Sequence, residues 1–149
     1  MNLLGPVSNI MSTDLITVGK NDPIKKVEEL FENHKIHHLP VTDQDDLLVG
    51  MVSRSDYLLF KRGFNQFEQS DRYDLFRLKT NKVESIMTTG IAKLEPDDKV
   101  NVALEIFREN LFHAIPIVKD GKLRGIVTTL DIIEHLARDE SVVKKYEML

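Results

Sequence analysis

The same pattern occurs twice in this chain, and the repeat restricts the possible fold more than any other feature of the sequence. Ile86 lies 76 positions after Ile10. Phe107 follows Phe31 at the same spacing. Two copies are too few, and the period is too long, for a common solenoid. The repeat therefore predicts two similar units within 149 residues, a length that supports one sizeable hydrophobic core.

Each copy has the pattern of a β-α-β-β-α unit. In the first copy, residues 15–18 form a short β-branched run, and residues 24–31 place apolar side chains at helical spacing. Residues 39–52 contain two apolar runs around a polar turn, which predicts a hairpin, and a helix is expected to start at Ser53. Because such a unit has one uncovered sheet face, we expect the two units to pack face to face.

A seven-residue motif stands where the last strand of each copy meets its last helix. It consists of a glycine, two apolar residues, a hydroxyl residue, two variable positions and an aspartate. A hydroxyl at the N-cap, a carboxylate and free helix-start N–H groups suit a ribose and a phosphate. The same residues also fit a capping box, which requires no ligand, so both interpretations stay open. The hydroxyl and acidic residues are Ser53 and Asp56 in the first copy, and Thr128 and Asp131 in the second.

Composition limits the classes of function. The chain has no cysteine, which excludes disulfides and thiolate chemistry, and its net charge of −4 disfavours a general nucleic-acid-binding surface. No apolar stretch approaches the roughly 20 residues of a membrane span. Residues 1–6 lack the features of a secretion signal, so we expect a cytoplasmic protein. A Gly-rich phosphate loop and a nucleophile elbow are both absent from the sequence, and we expect no enzyme activity.

Three histidines raise the alternative of a metal site. His37 and His38 are adjacent in a predicted strand, so their side chains point to opposite faces. His34 precedes them, but no cysteine or further well-spaced ligand completes a coordination set. We therefore expect no metal and assign these histidines to the surface or to contact with a phosphate.

Residues 63–81 separate the copies and do not belong to the repeat. The sequence thus divides into residues 1–62, residues 63–81 and residues 82–149. The connecting insertion and the helix before it carry rings that either cover the core or form a self-association surface. These rings are Tyr57, Phe60, Phe64, Phe67, Tyr73 and Phe76. In the C-terminal tail, expected to be a solvated helix end, Val142, Val143 and Tyr146 form a modest apolar face.

The repeated motifs resemble those of the CBS-domain family, in the tandem arrangement called a Bateman module. The resemblance implies an α+β fold of the α/β type, in which two β-α-β-β-α units pack with pseudo-twofold symmetry and form two clefts. It also implies a regulatory, non-enzymatic module that binds AMP, ADP, ATP or S-adenosylmethionine, in some members NAD or cyclic di-AMP, and requires no cofactor. The motifs that carry it are residues 10–11, 15–18, 36–41 and 50–56, then residues 86–87, 112–118 and 125–131.

The resemblance further implies roles for individual residues. The two motif aspartates would bind ribose hydroxyls, a role that suits a carboxylate because it can accept from both hydroxyls at once. Ser53 and Thr128 would approach the phosphate. The adenine would contact Ile16, Ile36 and His37 in the first copy, and Ala92, Phe112 and His113 in the second. Each cleft would combine the base pocket of one copy with the acid of the other, so that Asp131 works with Ile16 and His37, and Asp56 with Ala92 and His113.

The two copies differ near the expected phosphate. The first copy has His37, His38 and Arg54 there, whereas the second has His113, Ala114 and Thr129. More cationic donors favour more phosphate groups, so we predict that the clefts differ in affinity or charge preference. The resemblance also implies a homodimer and a separate, regulated partner protein. The alternative is an interaction scaffold with empty clefts, whose motifs serve only as helix caps.

Overall fold

The computed structural model of this chain describes residues 2–63, 71–109 and 112–138. It contains both helices and strands, with more residues in helices, which confirms the predicted mixed fold class. Within those three ranges, no helix has the length and apolar character needed to cross a bilayer. The elements are a 3₁₀ helix Val7–Asn9, β1 Val18–Gly19, α1 Ile24–Asn33, β2 His38–Thr42, β3 Leu48–Ser53, α2 Arg54–Arg62, α3 Asp71–Thr80, a second 3₁₀ helix Val83–Ser85, α4 Val100–Arg108, β4 Ala114–Lys119, β5 Lys122–Thr128 and α5 Thr129–Ala137.

Strand register repeats along with the sequence. β1 runs parallel to β2 with Val18 opposite Val41, and β2 runs antiparallel to β3 with Val41 opposite Gly50. In the second copy, β4 and β5 form a two-stranded sheet, and Leu94 makes an isolated parallel bridge to Ile117. Leu94 lies 76 positions after Val18, and Ile117 lies 76 positions after Val41. The repeat in the amino-acid sequence is therefore also a repeat of the backbone pairing between strands.

The described residues form two compact units, and each unit combines separate parts of the chain. The α1 unit contains residues 15–91 and 120–123 within the described ranges. The α4 unit contains residues 2–14, 92–119 and 124–138, again within those ranges. The opening segment of the first copy, residues 2–14, thus lies with the helices of the second copy, and that of the second copy, residues 81–91 (which begin with the last residue of the insertion), lies with the helices of the first. The boundaries predicted from the sequence do not anticipate this arrangement.

This exchange of opening segments builds both hydrophobic cores. Val7, in the first 3₁₀ helix, is fully buried with Val100 in the α4 unit. Val83, in the second 3₁₀ helix, is fully buried with Ile24 and Phe31 in the α1 unit. The apolar side chains at helical spacing on α1 and α4 therefore pack against segments that are distant in the sequence.

The same segments also complete the starts of α1 and α4, neither of which has a side-chain N-cap hydrogen bond. The N–H of Ile24 donates to the carbonyl of Asn81 at 2.9 Å. The N–H of Val100 donates to the carbonyl of Gly5 at 3.0 Å. Helix-start donors need such acceptors, and here backbone carbonyls of the opening segments supply them.

The aromatic residues around the insertion have different environments. Tyr57 is buried and Phe60 is half-buried, as expected for rings that cover the core. On α3, only Leu78 is buried among the described core residues, while Tyr73 and Phe76 are 45% and 62% exposed. The core-covering interpretation therefore fails for these two rings. Five further residues considered above, Phe64, Phe67, Val142, Val143 and Tyr146, lie outside the described residues.

Candidate functional site

In the α1 unit, the sequence motif forms a complete capping box at the start of α2. The Oδ2 atom of Asp56 accepts hydrogen bonds from the N–H of Ser53 at 2.8 Å and from its hydroxyl at 2.7 Å. The N–H of Asp56 donates back to Oγ of Ser53 at 3.1 Å. The motif therefore stabilises a helix start whether or not a ligand binds.

The α4 unit repeats this capping box and adds a contact that the sequence analysis missed. The Oδ2 atom of Asp131 accepts from the N–H of Thr128 at 2.7 Å and from its hydroxyl at 2.5 Å. The N–H of Asp131 donates back to Oγ1 of Thr128 at 3.3 Å. The hydroxyl of Ser12 donates to Oδ1 of Asp131 at 3.0 Å. Both carboxylate oxygens of Asp131 are therefore engaged.

The carboxylate of Asp56 in the first motif differs from that of Asp131 in how many of its oxygens accept a hydrogen bond. Oδ1 of Asp56 accepts no hydrogen bond from any residue that the structure describes. Thr88 lies 76 positions after Ser12 and exchanges backbone hydrogen bonds of 2.8 and 3.0 Å with Met51. Its hydroxyl, however, makes no hydrogen bond to the described part of the chain. The two copies thus share this backbone pairing but differ in whether a nearby hydroxyl donates to the second oxygen of the motif aspartate.

Most of the helix-start N–H groups that the sequence predicts to be free already donate hydrogen bonds. The N–H of Arg54 donates to the carbonyl of His37 at 2.8 Å, and that of Thr129 donates to the carbonyl of His113 at 3.3 Å. Both aspartate N–H groups are used by the capping boxes. Among the described residues, one first-turn donor is left without an acceptor in each helix: Ser55 in α2 and Leu130 in α5.

The glycine that opens each motif is required by a close approach of backbone and side chain. A Cβ atom at Gly50 would lie 2.9 Å from Sδ of Met87 and 2.9 Å from the carbonyl oxygen of Thr88. A Cβ atom at Gly125 would lie 2.8 Å from Cγ of Met11. Because normal contacts of this kind are longer, only glycine lets these segments run alongside the strand. At Gly125, this approach also brings the residue after Met11 next to the acid of α5.

The residues predicted to contact adenine fall into different units. The first-copy set lies in the α1 unit together with Asp56, and the second-copy set lies in the α4 unit together with Asp131. The predicted combination of one copy's base pocket with the other copy's acid stays a prediction. In the first-copy set, Ile16 and Ile36 are half-buried and His37 is exposed; in the second-copy set, Ala92 and Phe112 are half-buried and His113 is exposed.

The remaining polar residues considered for the site lie in the α1 unit. Arg54 is exposed at the first position of α2, where its charge can reach solvent or a ligand. His34 is exposed, and His38 is half-buried at the start of β2. Among the residues that the structure describes, no three His, Asp or Glu side chains are grouped so that they could hold a metal ion.

A buried charged cluster lies next to the first motif and was not found from the sequence. Glu28 of α1 accepts hydrogen bonds from Tyr57 at 2.6 Å and Lys61 at 2.9 Å, and Lys25 also donates to it. Burial alone raises the pKa of Glu28, but these three donors outweigh it and lower the pKa to about 2. Burial, helped by the hydrogen bond to Glu28, raises the pKa of Tyr57 to about 12.

Comparison with models of known families assigns residues 7–63 and residues 83–138 to the CBS domain. The chain belongs to the CBS-domain family. The two matched segments correspond to the two copies of the repeat, which confirms the resemblance based on the motifs. In this CBS pair, each capping box described above closes the last strand-to-helix junction of one CBS segment.

Several known proteins resemble this CBS pair over most of its length. Protein MJ1404 of Methanocaldococcus jannaschii is 32% identical over 133 residues, covering 88% of this chain and 32% of that protein. The CBS domain of a CBS domain containing membrane protein from Sphaerobacter thermophilus is 26% identical, with a TM-score of 0.74, and covers 89% of this chain and 88% of that one. The CBS domain pair of protein MJ0100, in complex with 5′-methylthioadenosine and S-adenosyl-L-methionine, is 26% identical, with a TM-score of 0.70 and coverage of 90% and 97%.

The chain is short relative to several of the curated relatives it matches. It spans 32%, 22% and 23% of the length of three of them. One of these is an inosine-5′-monophosphate dehydrogenase and another a homoserine O-acetyltransferase. The similarity therefore concerns only part of each of these proteins.

Proposed function

We propose that this CBS pair is a regulatory module that binds an adenosine-type ligand and has no catalytic activity of its own. The observation that carries the proposal is the Oδ1 atom of Asp56, which lies on the same helix turn as the N–H of Ser55; neither has a hydrogen-bond partner among the described residues. A carboxylate oxygen accepts from a ribose hydroxyl, and a helix-start N–H donates to a phosphate or carboxylate. The complex of MJ0100 with two adenosine compounds supports the same ligand class.

Individual roles follow from this proposal. Asp56 and Asp131 bind the ribose hydroxyls of one ligand each, while Ser53 and Thr128 approach the phosphate. The half-buried apolar residues Ile16, Ile36, Ala92 and Phe112 form walls for adenine, with the backbones of His37 and His113 at its polar edge. Arg54 and His38 favour a more highly charged phosphate chain in the first copy, where Thr129 and Ala114 are the counterparts in the second.

Thermal melting with AMP, ADP, ATP and S-adenosylmethionine tests the proposal. A ligand that binds only the folded state raises the melting midpoint, because it stabilises that state by RT ln(1 + [L]/Kd). Asp56→Ala and Asp131→Ala each remove a cap and lower the midpoint without ligand, so the ligand-induced increase is the informative quantity. We expect each variant to lose part of that increase and the double variant to lose all of it. Asp97→Ala, an exposed acid outside both motifs, serves as the control.

A ligand-free interaction scaffold is the second candidate, and the capping boxes favour it because they explain both motifs without a ligand. Failure of all four compounds to raise the midpoint would support the scaffold. In either case we propose a homodimer that regulates a separate protein. Support for self-association comes from three exposed apolar side chains along α5: Leu130 and Ile133, each 60% exposed, and Leu136, 52% exposed.

A further inference from the structure

We infer that Ser12 is a specificity-determining residue that weakens adenosine binding at Asp131, so that Asp56 is the site that fills first. This inference rests on the proposed function, in which both acids bind ribose. It concerns the difference between the two copies, which the family assignment does not predict. Ser12 and Asp131 lie together in the α4 unit, and Thr88 and Asp56 lie together in the α1 unit.

Competition for one carboxylate oxygen is the basis of the inference. A ribose that binds Asp131 needs an acceptor for its hydroxyls, and Oδ2 already accepts from the N–H and hydroxyl of Thr128. The remaining oxygen, Oδ1, accepts from the hydroxyl of Ser12 at 3.0 Å. A ribose hydroxyl that takes this oxygen must share it with Ser12 or displace it. At Asp56 the corresponding oxygen has no such competitor among the described residues.

Ser12 is held in place by its backbone and is not a freely moving surface residue. Its N–H donates to the carbonyl of Ile126 at 2.9 Å, and the N–H of Ile126 donates to the carbonyl of Ser12 at 3.0 Å. Met11, the preceding residue, packs against the hydrophobic core of the α4 unit and over Gly125. The side chain of Ser12 is nevertheless exposed, so its hydroxyl can turn to water when a ligand binds.

The matched position in the other copy provides an internal comparison. Thr88 has the same two-way backbone pairing, with Met51, as Ser12 has with Ile126. Its side chain is also exposed, yet its hydroxyl makes no hydrogen bond within the described part of the chain. Removing the hydroxyl of Thr88 should therefore leave ligand binding at Asp56 unchanged.

Titration calorimetry with AMP tests the inference in backgrounds that retain one acid. In the Asp56→Ala background, where only the Asp131 site remains, we expect Ser12→Ala to lower the Kd for AMP roughly three- to tenfold, which corresponds to the loss of one competing hydrogen bond. In the Asp131→Ala background, the matched variant Thr88→Ala should leave the Kd unchanged. In the wild-type protein, the tighter AMP site should be the one that Asp56→Ala removes. Melting of each variant without ligand verifies that it is folded.

The outcomes separate this inference from the proposed function. If the wild-type protein binds AMP but Ser12→Ala leaves the Kd at Asp131 unchanged or raises it, Ser12 is neutral or contacts the ligand itself, and the inference alone is overturned. If neither the wild-type protein nor Ser12→Ala binds AMP, ADP, ATP or S-adenosylmethionine, the proposed function and the inference are both overturned. The Ser12–Asp131 contact can still be measured in that case, because non-additive melting midpoints of Ser12→Ala, Asp131→Asn and the double variant report it without a ligand.

Discussion

The hydroxyl of Tyr57 donates a 2.6 Å hydrogen bond to Oε1 of Glu28, which joins α2 to α1 inside the α1 unit. Glu28 is only 6% exposed, and Lys25 and Lys61 complete its set of donors. Because Tyr57 directly follows Asp56 in the first turn of α2, this contact helps to position the acid of the first motif. A buried carboxylate is costly unless it is well paired, so each donor in the cluster matters for stability.

Tyr57→Phe tests this contact directly. The variant keeps the ring against Phe31 but removes one donor from the buried carboxylate, so we expect the free energy of unfolding to fall by about 1–3 kcal/mol. Urea denaturation measures the change. The control is Tyr73→Phe on α3, where the side chain is 45% exposed and a change within about 0.5 kcal/mol is expected. Equal losses in the two variants would contradict the assigned role of Tyr57.

The acidity of Glu28 predicts a pH dependence of stability. Its pKa is lowered in the folded state, from an ordinary value of 4.5 to about 2, so the folded protein holds this carboxylate ionised at a lower pH than the unfolded chain does. The resulting stabilisation is fully present above about pH 4.5 and is lost as the pH falls towards 2. Unfolding measured across this range should show a steeper decline for the wild-type protein than for Glu28→Gln. Parallel curves for the two proteins would argue against the prediction.

The exchanged opening segments should contribute strongly to stability. Val7→Ala and Val83→Ala each remove a fully buried side chain from the core of a unit built mainly from the other copy. We expect each variant to lose about 2 kcal/mol of unfolding free energy in chemical denaturation. Val102→Ala, at a position that is 40% exposed on α4, should lose less than about 0.5 kcal/mol. A similar small effect for Val7→Ala would mean that the opening segment is not part of that core in solution.

Gly50→Ala should be destabilising because of a steric conflict with the backbone. The added methyl group would lie 2.9 Å from the carbonyl oxygen of Thr88, which cannot move without breaking its pairing with Met51. We expect a loss of about 1–3 kcal/mol in thermal or urea unfolding. Gly63→Ala is the matched control, since Gly63 has a φ of −62° that any residue adopts. Comparable effects at the two glycines would contradict this explanation.

The exposed face of α5 predicts concentration-dependent association. Ile133→Glu places a charge in the middle of that face, so the proposed dimer should dissociate at protein concentrations where the wild-type protein is dimeric. Sedimentation equilibrium measures the change in apparent mass. Val102→Glu introduces the same charge at an exposed position of α4 and should leave the dimer intact. A monomeric wild-type protein, or equal effects of both variants, would contradict the proposed surface.

Local patterns were the predictable part of this protein. The spacing of Ser53 and Asp56 is sufficient for a capping box, because all of its atoms lie within one helix turn. The apolar positions of α1 and the turn between β2 and β3 are local in the same sense, so the order of strands and helices followed from them. Repetition then extended the prediction to the second copy, where Thr128 and Asp131 form the same cap.

The contacts that differ between the copies could not be predicted because they join distant residues. Ser12 and Asp131 are 119 positions apart, and Glu28 and Tyr57 are 29 apart. Two signals were nevertheless present. Glu28 occupies a position of the apolar stripe of α1, and its counterpart 76 positions later is Leu104, so the acid stands out when the copies are aligned. Both Ser12 and its counterpart carry a hydroxyl, although the sequence does not reveal that only one of them reaches an acid.

The reciprocal exchange of opening segments determines how this protein can be dissected. A fragment cut at the boundary between the copies keeps Val7 without the core that receives it, and lacks Val83, which closes its own core. Such a half is an incomplete folding unit, although it contains a full copy of the repeat. A fragment that is to fold on its own must therefore carry the opening segment of the opposite copy. A protein split between the copies can reassemble only if each piece receives the opening segment of the other.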